Sequence, residues 1–150
     1  MKNQELVNIY NGLCMFQEKE EKSFRETGKK LLNGRIRLCY AINKNKDLIL
    51  GRLKPYEETR QELAEEYRDT KKEQEAIEAE RELAEKEKRE PKDIDIILKK
   101  GNTVEEYARK LQELLELETD FSPYTVKLQE FEGLDLDSRE LGFFMFMIEE

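Results

Sequence analysis

"LLNGRIRLCYAINKNKDLILGRLKPYEETRQELAEEY", residues 31–67, is the stretch on which the fold turns. Positions 32, 35, 39, 42, 46, 49, 53, 56, 60, 63 and 67 alternate at three- and four-residue spacing. Eight of these eleven are apolar or aromatic: Leu32, Cys39, Ile42, Ile49, Leu53, Tyr56, Leu63 and Tyr67. A seven-residue rhythm held over about five repeats marks a long helix with a seam. Leu31, Ile36, Leu38 and Leu50 widen the stripe before residue 53, and nothing widens it afterwards. This is the pattern of a helix that lies in a core at one end and leaves it at the other. Pro55 removes a backbone donor and crowds the preceding turn, but the phase is unbroken across it, so a kink is expected there rather than a stop.

Carried further, the same spacing falls on Thr70, Gln74, Ile77, Arg81 and Ala84, and the seam turns polar. Residues 71–90, "KKEQEAIEAERELAEKEKRE", keep strong helix formers and Glu-before-basic pairs such as Glu82 with Lys86 and Glu85 with Arg89. Such pairs contribute only about 0.2–0.5 kcal/mol each. The expectation is one kinked helix of up to roughly 60 residues, whose outer part, residues 68–90, is a charged, solvated arm. Residues 1–67 and 91–150 would form a single compact helical base.

Around this helix the chain reads as mainly α. Leu6, Ile9, Tyr10, Leu13 and Phe16 share one helical face, and Gly28 is a natural stop. Thr103 and Glu106 form a capping box, and Asp137 caps a last helix whose "FFMFM" cluster belongs in the core. Ile94, Ile96 and Leu98 alternate, as do Tyr124, Val126 and Leu128, which suggests a small two-stranded sheet leaning on helices.

The composition narrows the chemistry. Histidine is absent, which removes the commonest acid–base residue and the ordinary Ser-His and Cys-His systems. The glycines lack phosphate-loop spacing, and Cys14 and Cys39 are too far apart for a CxxC motif and too few for a structural zinc site. Asp93 with Asp95, and Asp135 with Asp137, could hold a hard cation but serve equally as turn formers and caps. No enzyme activity, cofactor or metal is expected. The net charge of −8 and pI near 4.9 disfavour a general nucleic-acid binder. The charge is uneven, however: nine basic residues against two acidic ones leave +7 between Arg25 and Lys54, and −15 elsewhere. Basic and acidic segments are expected to lie side by side, with Arg35 and Lys46 meeting Glu residues of an adjacent helix. "MKNQELVNIY" lacks the apolar core of a signal peptide and no apolar run could span a membrane. The expected location is a reducing cytoplasm, with no membrane partner.

"NQELVNIYNGL", "RIRLCYAINKNKDLILGRLKPYEETRQEL" and "YTVKLQEFEGLDLDSRELGFFMFMIEE" together resemble a family of small uncharacterised bacteriophage proteins, over about half the chain. Those proteins open with a short Leu- and Asn-rich element, continue into a long helix and end in an "FMIEE"-type tail. The resemblance implies phage origin and expression in the cytoplasm of a bacterial host, and it carries no activity or site.

The expected function is therefore non-enzymatic binding of another protein, as an assembly or accessory factor or as an antagonist of a host defence protein. The alternative is a nucleic-acid-associated regulator that uses residues 25–54, with Arg35, Arg37 and Lys44 on phosphates. Ile49, Leu53, Tyr56, Leu63 and Tyr67 would form a coiled-coil seam toward a second copy. Glu75, Glu78, Glu82 and Glu85 would present the arm to a basic partner.

Overall fold

Five α-helices carry most of the chain in the computed structural model, which describes residues 1–150. They are α1 (Asn3–Thr27), α2 (Ile36–Tyr67), α3 (Thr70–Lys86), α4 (Val104–Glu116) and α5 (Ser138–Phe144). Single 3-10 turns occupy Leu128–Phe131 and Met145–Met147. Gly28 ends α1 in the left-handed region (φ 74°), where its N–H donates to the Phe24 carbonyl. Asp137 caps α5 through the Glu140 N–H. At α4 the Thr103 hydroxyl accepts the Glu106 N–H, while the Glu106 carboxylate accepts instead from the Tyr67 hydroxyl.

Two expectations are corrected. The single rod of up to about 60 residues is two helices, of 32 and 17 residues, separated at Arg68–Asp69. Helix α2 does run through Pro55. The carbonyl that loses its donor there belongs to exposed Gly51, where water can replace the bond. The helix ends at Tyr67 because Asp69 starts a new one, its carboxylate accepting the Lys72 N–H. The small sheet is likewise absent. Leu98 bridges Arg68 and Val126 bridges Ile148, each as an isolated pair.

The chain divides into two compact units, Met1–Pro55 with Glu116–Glu150, and Tyr56–Leu115. These boundaries differ from a base of 1–67 and 91–150 carrying an arm of 68–90. The first unit is built on apolar packing. Leu6, Leu13 and Phe16 of α1, Leu38, Ala41, Ile42 and Ile49 of α2, and Phe131, Phe144 and Met147 are all buried. Phe16 meets Phe144 edge-on at 4.9 Å between centroids, a geometry that contributes about 0.5–1.5 kcal/mol beyond burial. Gly12 lies under the Phe143 ring: a Cβ there would stand 2.7 Å from Cδ1. Within this unit Arg35 clamps the chain by donating to the carbonyls of Glu130 (3.2 Å) and Glu132. Lys46 donates to the Gln17 side chain and sits over the Tyr10 ring. Neither pairs with a glutamate of an adjacent helix, contrary to expectation. Glu140, 8% exposed, pairs with Lys19 through Oε1 and leaves Oε2 buried without a partner.

The second unit is held differently. Tyr67 stacks on Tyr107 at 5.5 Å. Helix α3 closes in a Schellman arrangement: Lys88 is left-handed (φ 54°), the Arg89 N–H donates to the Ala84 carbonyl and the Lys88 N–H to that of Glu85. The chain then returns extended along α3. On one side of that helix Glu80 accepts from the Arg89 guanidinium and the Lys92 N–H, and Glu73 accepts from Arg68 and the Ile97 N–H. Asp69 N–H to Ile97 carbonyl and Lys99 N–H to Tyr67 carbonyl complete the attachment. Residues 68–90 are thus strapped by their own chain, where a solvated arm without an internal partner was expected.

Candidate functional site

Within the first unit, the first turn of α2 and the extended segment 123–127 line an open groove of about 470 Å³, with Ile36, Arg37, Tyr40, Tyr124, Thr125 and Lys127 among its walls. The segment is positioned by a buried side chain. Asn45 donates through Nδ2 to the Tyr124 carbonyl and accepts the Tyr124 N–H at Oδ1, both at 2.8 Å. Its amide therefore pairs with Tyr124 as a neighbouring strand would. Two residues on, the Val126 N–H donates to the Met147 carbonyl and the Val126 carbonyl accepts the Glu149 N–H, both at 2.8 Å. Tyr124 meets Tyr40 edge-on at 5.4 Å.

Ile36 is 80% exposed and Tyr40 54% exposed. Burying an isoleucine side chain is worth about 1.5–3 kcal/mol, so this wall gains from being covered. The charges on the rim are partly committed. Arg37 lies 3.6 Å from Glu130, and the Thr125 hydroxyl donates to Glu149. Lys127 is exposed.

The residues expected to bind a partner fall elsewhere. Ile49, Leu53 and Tyr67 are 0%, 5% and 6% exposed, and Tyr56 and Leu63 are half-buried. Ile49, Leu53 and Tyr67 are thus taken up within the chain's own fold, while Tyr56 and Leu63 keep part of their surface open. Burial, reinforced by the Glu106 carboxylate that the hydroxyl contacts, raises the Tyr67 phenol above its ordinary pKa. Glu75, Glu78, Glu82 and Glu85 are all exposed along one side of α3. Of the three residues expected on phosphates, Arg35 is committed to the clamp described above. Arg37 and Lys44 are exposed, seven residues apart on α2.

Sequence reasoning missed the groove. Ile36 reads as part of the buried stripe, and Asn45 as an ordinary polar residue between seam positions. The usable signal was Asn45 itself, spaced three and four residues from Ile42, Ala41 and Ile49 in the middle of the apolar face.

Chemically reactive groups are sparse. Cys14 and Cys39 are free and half-buried. Burial, with the Glu20 carboxylate adding to it, pushes the Cys39 thiol up, away from the reactive thiolate. The Glu140 backbone N–H holds the Asp137 carboxyl below its usual range, as befits a cap. No three Cys, Asp or Glu side chains come together as a metal-holding group. No helix is long and apolar enough to cross a membrane. Compared with protein-family models, curated proteins and solved structures, the chain matches none.

Proposed function

We propose that this chain is a non-enzymatic protein that acts by binding another protein. The observation that carries this reading is the groove beside α2, whose wall exposes Ile36 and Tyr40 against a segment fixed by Asn45. An exposed apolar wall edged by charges of both signs, Arg37 and Lys127 with Glu130 and Glu149, has the composition of a recognition surface. The lack of histidine and the raised Cys39 thiol support a role without catalysis. The resemblance to small phage proteins gives the setting, the cytoplasm of an infected bacterium. There the protein serves as an assembly or accessory factor, or as an antagonist of a host defence protein. Affinity capture from infected-cell lysate tests this, with Ile36→Asp and a charge-reversed α3 face (Glu75, Glu78, Glu82 and Glu85 to Lys) as parallel baits. The wild-type chain and the α3 variant should recover the same protein and Ile36→Asp should lose it. Recovery of no specific protein by the wild-type chain would sink the reading.

A further inference from the structure

Helix α2 stops at Tyr67 beside residues that would carry it on. From Tyr56 to Glu90 there is neither glycine nor proline, and good helix formers flank the break at Arg68–Asp69. A continuous helix would bond the N–H groups of Asp69, Thr70 and Lys71 to the carbonyls of Glu65, Glu66 and Tyr67. Each of those carbonyls is taken instead by the turn that follows the strap. Lys99 Nζ donates to Glu65 (2.6 Å), Asn102 Nδ2 to Glu66 (3.4 Å) and the Lys99 N–H to Tyr67 (2.9 Å). On the far side of the break the Asp69 N–H is diverted to the Ile97 carbonyl at 2.7 Å. The N–H groups of Thr70 and Lys71 are left with no acceptor in the chain.

We propose that this joint is a two-state device. When residues 97–102 withdraw from the end of α2, Arg68 and Asp69 close into helix and α2 continues unbroken into α3. The exchange is nearly balanced in hydrogen bonds. The three carbonyls pass from Lys99 and Asn102 to Asp69, Thr70 and Lys71, two of which have no acceptor in the broken form. The Lys99 and Asn102 side chains bond at the surface, where water can serve them. Against this, the joint gives up the Asp69 cap on Lys72 and the Arg68–Glu73 pair, which favour the break. The strap can travel with α3, because its Lys92 and Ile97 N–H groups are held by Glu80 and Glu73 of that helix. The returning chain has its own pivot at Gly101, left-handed at φ 92°. Two arrangements that trade one set of bonds for another make a switch, and its trigger is whatever draws Lys99 and Asn102 away. The device is independent of the groove beside α2 and of what binds there.

The test reads the Thr70 and Lys71 amides by hydrogen exchange in the full chain, corrected for intrinsic rates. In the wild type both should exchange nearly freely. Asp69→Ala removes the cap and installs the best helix former. Lys99→Ala and Asn102→Ala added to it free the Glu65 and Glu66 carbonyls. In this triple variant both amides should slow by about tenfold or more, the opposite of what loosening a segment does. Adding Thr70→Pro should return Lys71 to its wild-type rate, because proline suits the first position of α3 but not the interior of a continuous helix. If circular dichroism shows the triple variant unfolded, the Lys99→Ala/Asn102→Ala double variant, which keeps the cap, takes its place, and the same two amides should slow. Wild-type rates at Thr70 and Lys71 in the folded variant would overturn the proposal. So would slowing at Lys71 that survives Thr70→Pro.

Discussion

Removing the Glu73 carboxylate should loosen the strap that holds the second unit, by an amount its contacts allow one to work out. Glu73 is 7% exposed and accepts three donors at one oxygen: Arg68 Nε at 3.1 Å, Arg68 Nη2 at 2.9 Å and the Ile97 N–H at 3.1 Å. In Glu73→Ala the Ile97 N–H loses its acceptor, which costs about 1–3 kcal/mol if it stays dry. Arg68 loses its partner too, but its side chain is 34% exposed. Water can serve it, so about 1 kcal/mol is appropriate for that part. The total is about 2–4 kcal/mol, a large share of the 5–15 kcal/mol of a typical domain. Glu73→Gln keeps one oxygen for the same donors and loses only the charge assistance, so about 1 kcal/mol is expected.

Amide exchange reads this directly. The Asp69 N–H bonds to Ile97 and the Lys99 N–H to Tyr67, so both report the strap without touching Glu73. In Glu73→Ala their exchange should quicken by about thirtyfold to a thousandfold, at tenfold per 1.4 kcal/mol. In a double-mutant cycle, Arg68→Ala should cost about 1 kcal/mol less once Glu73 is gone. If Glu73→Ala leaves both amides as protected as in the wild type, the carboxylate does not fasten this segment and the account of the second unit is wrong.

Four further outcomes follow from the same contacts. Lys88 is left-handed with φ 54°, a conformation that favours glycine, so Lys88→Gly should raise stability by about 0.5–1 kcal/mol in urea unfolding. The Arg89 guanidinium and then the Lys92 N–H lower the Glu80 pKa; its contribution is full above the unfolded carboxyl value of about 4.3 and is lost as pH falls through the lower folded value. Lys92 amide protection, corrected for intrinsic rates, should hold from neutral pH down to that value and then decline, and Glu80→Gln should flatten the dependence. Gly12→Ala gains about 1 kcal/mol of helix propensity but drives a methyl into Phe143; it should destabilise the wild type and stabilise a Phe143→Ala background, as compared by urea midpoints. Asn45→Ala strands both the N–H and the carbonyl of Tyr124, so about 2–4 kcal/mol should be lost, with the largest rise in exchange at the Tyr124 amide.

What the sequence made legible was local. Gly28 could be read as a stop because a left-handed cap favours glycine, and Asp137 as a cap because a short carboxylate reaches a free N–H. The passage of α2 through Pro55 followed from unbroken phase. The end of α2 at Tyr67 had a local signal too, Asp69 before Thr70. Good helix formers on both sides and the continued spacing through Thr70 and Gln74 masked it, because propensity does not record a one-residue change of direction. The seam was legible in part: Leu32, Ile42, Ile49, Leu53 and Tyr67 are buried where its spacing put them. Leu38, Ala41 and Asn45 share the buried face, and Asn45 fits only once Tyr124, which lies 79 residues away, is known to pair with it. Alternation at Ile94 and Ile96 identified an extended segment, but its partners are glutamates, which no strand pattern announces.

Those glutamates answer what supports a stretch as charged as 71–90. Its acidic residues are of two kinds. Glu75, Glu78, Glu82 and Glu85 face solvent, whereas Glu73 and Glu80, seven residues apart, share the opposite side and each accept one arginine and one backbone N–H. A carboxylate has two oxygens and room for several donors, so it can satisfy an extended chain's N–H while neutralised by a guanidinium. Two such carboxylates, two turns apart on a helix, hold a strand-like segment with no sheet behind it. This is how a chain that is 41% charged and 37% hydrophobic can order a helix having only Glu73 and Ala84 buried. The charges there act as acceptors for the backbone, and the apolar residues are released to the first unit, where Phe16, Phe131 and Phe144 meet ring to ring.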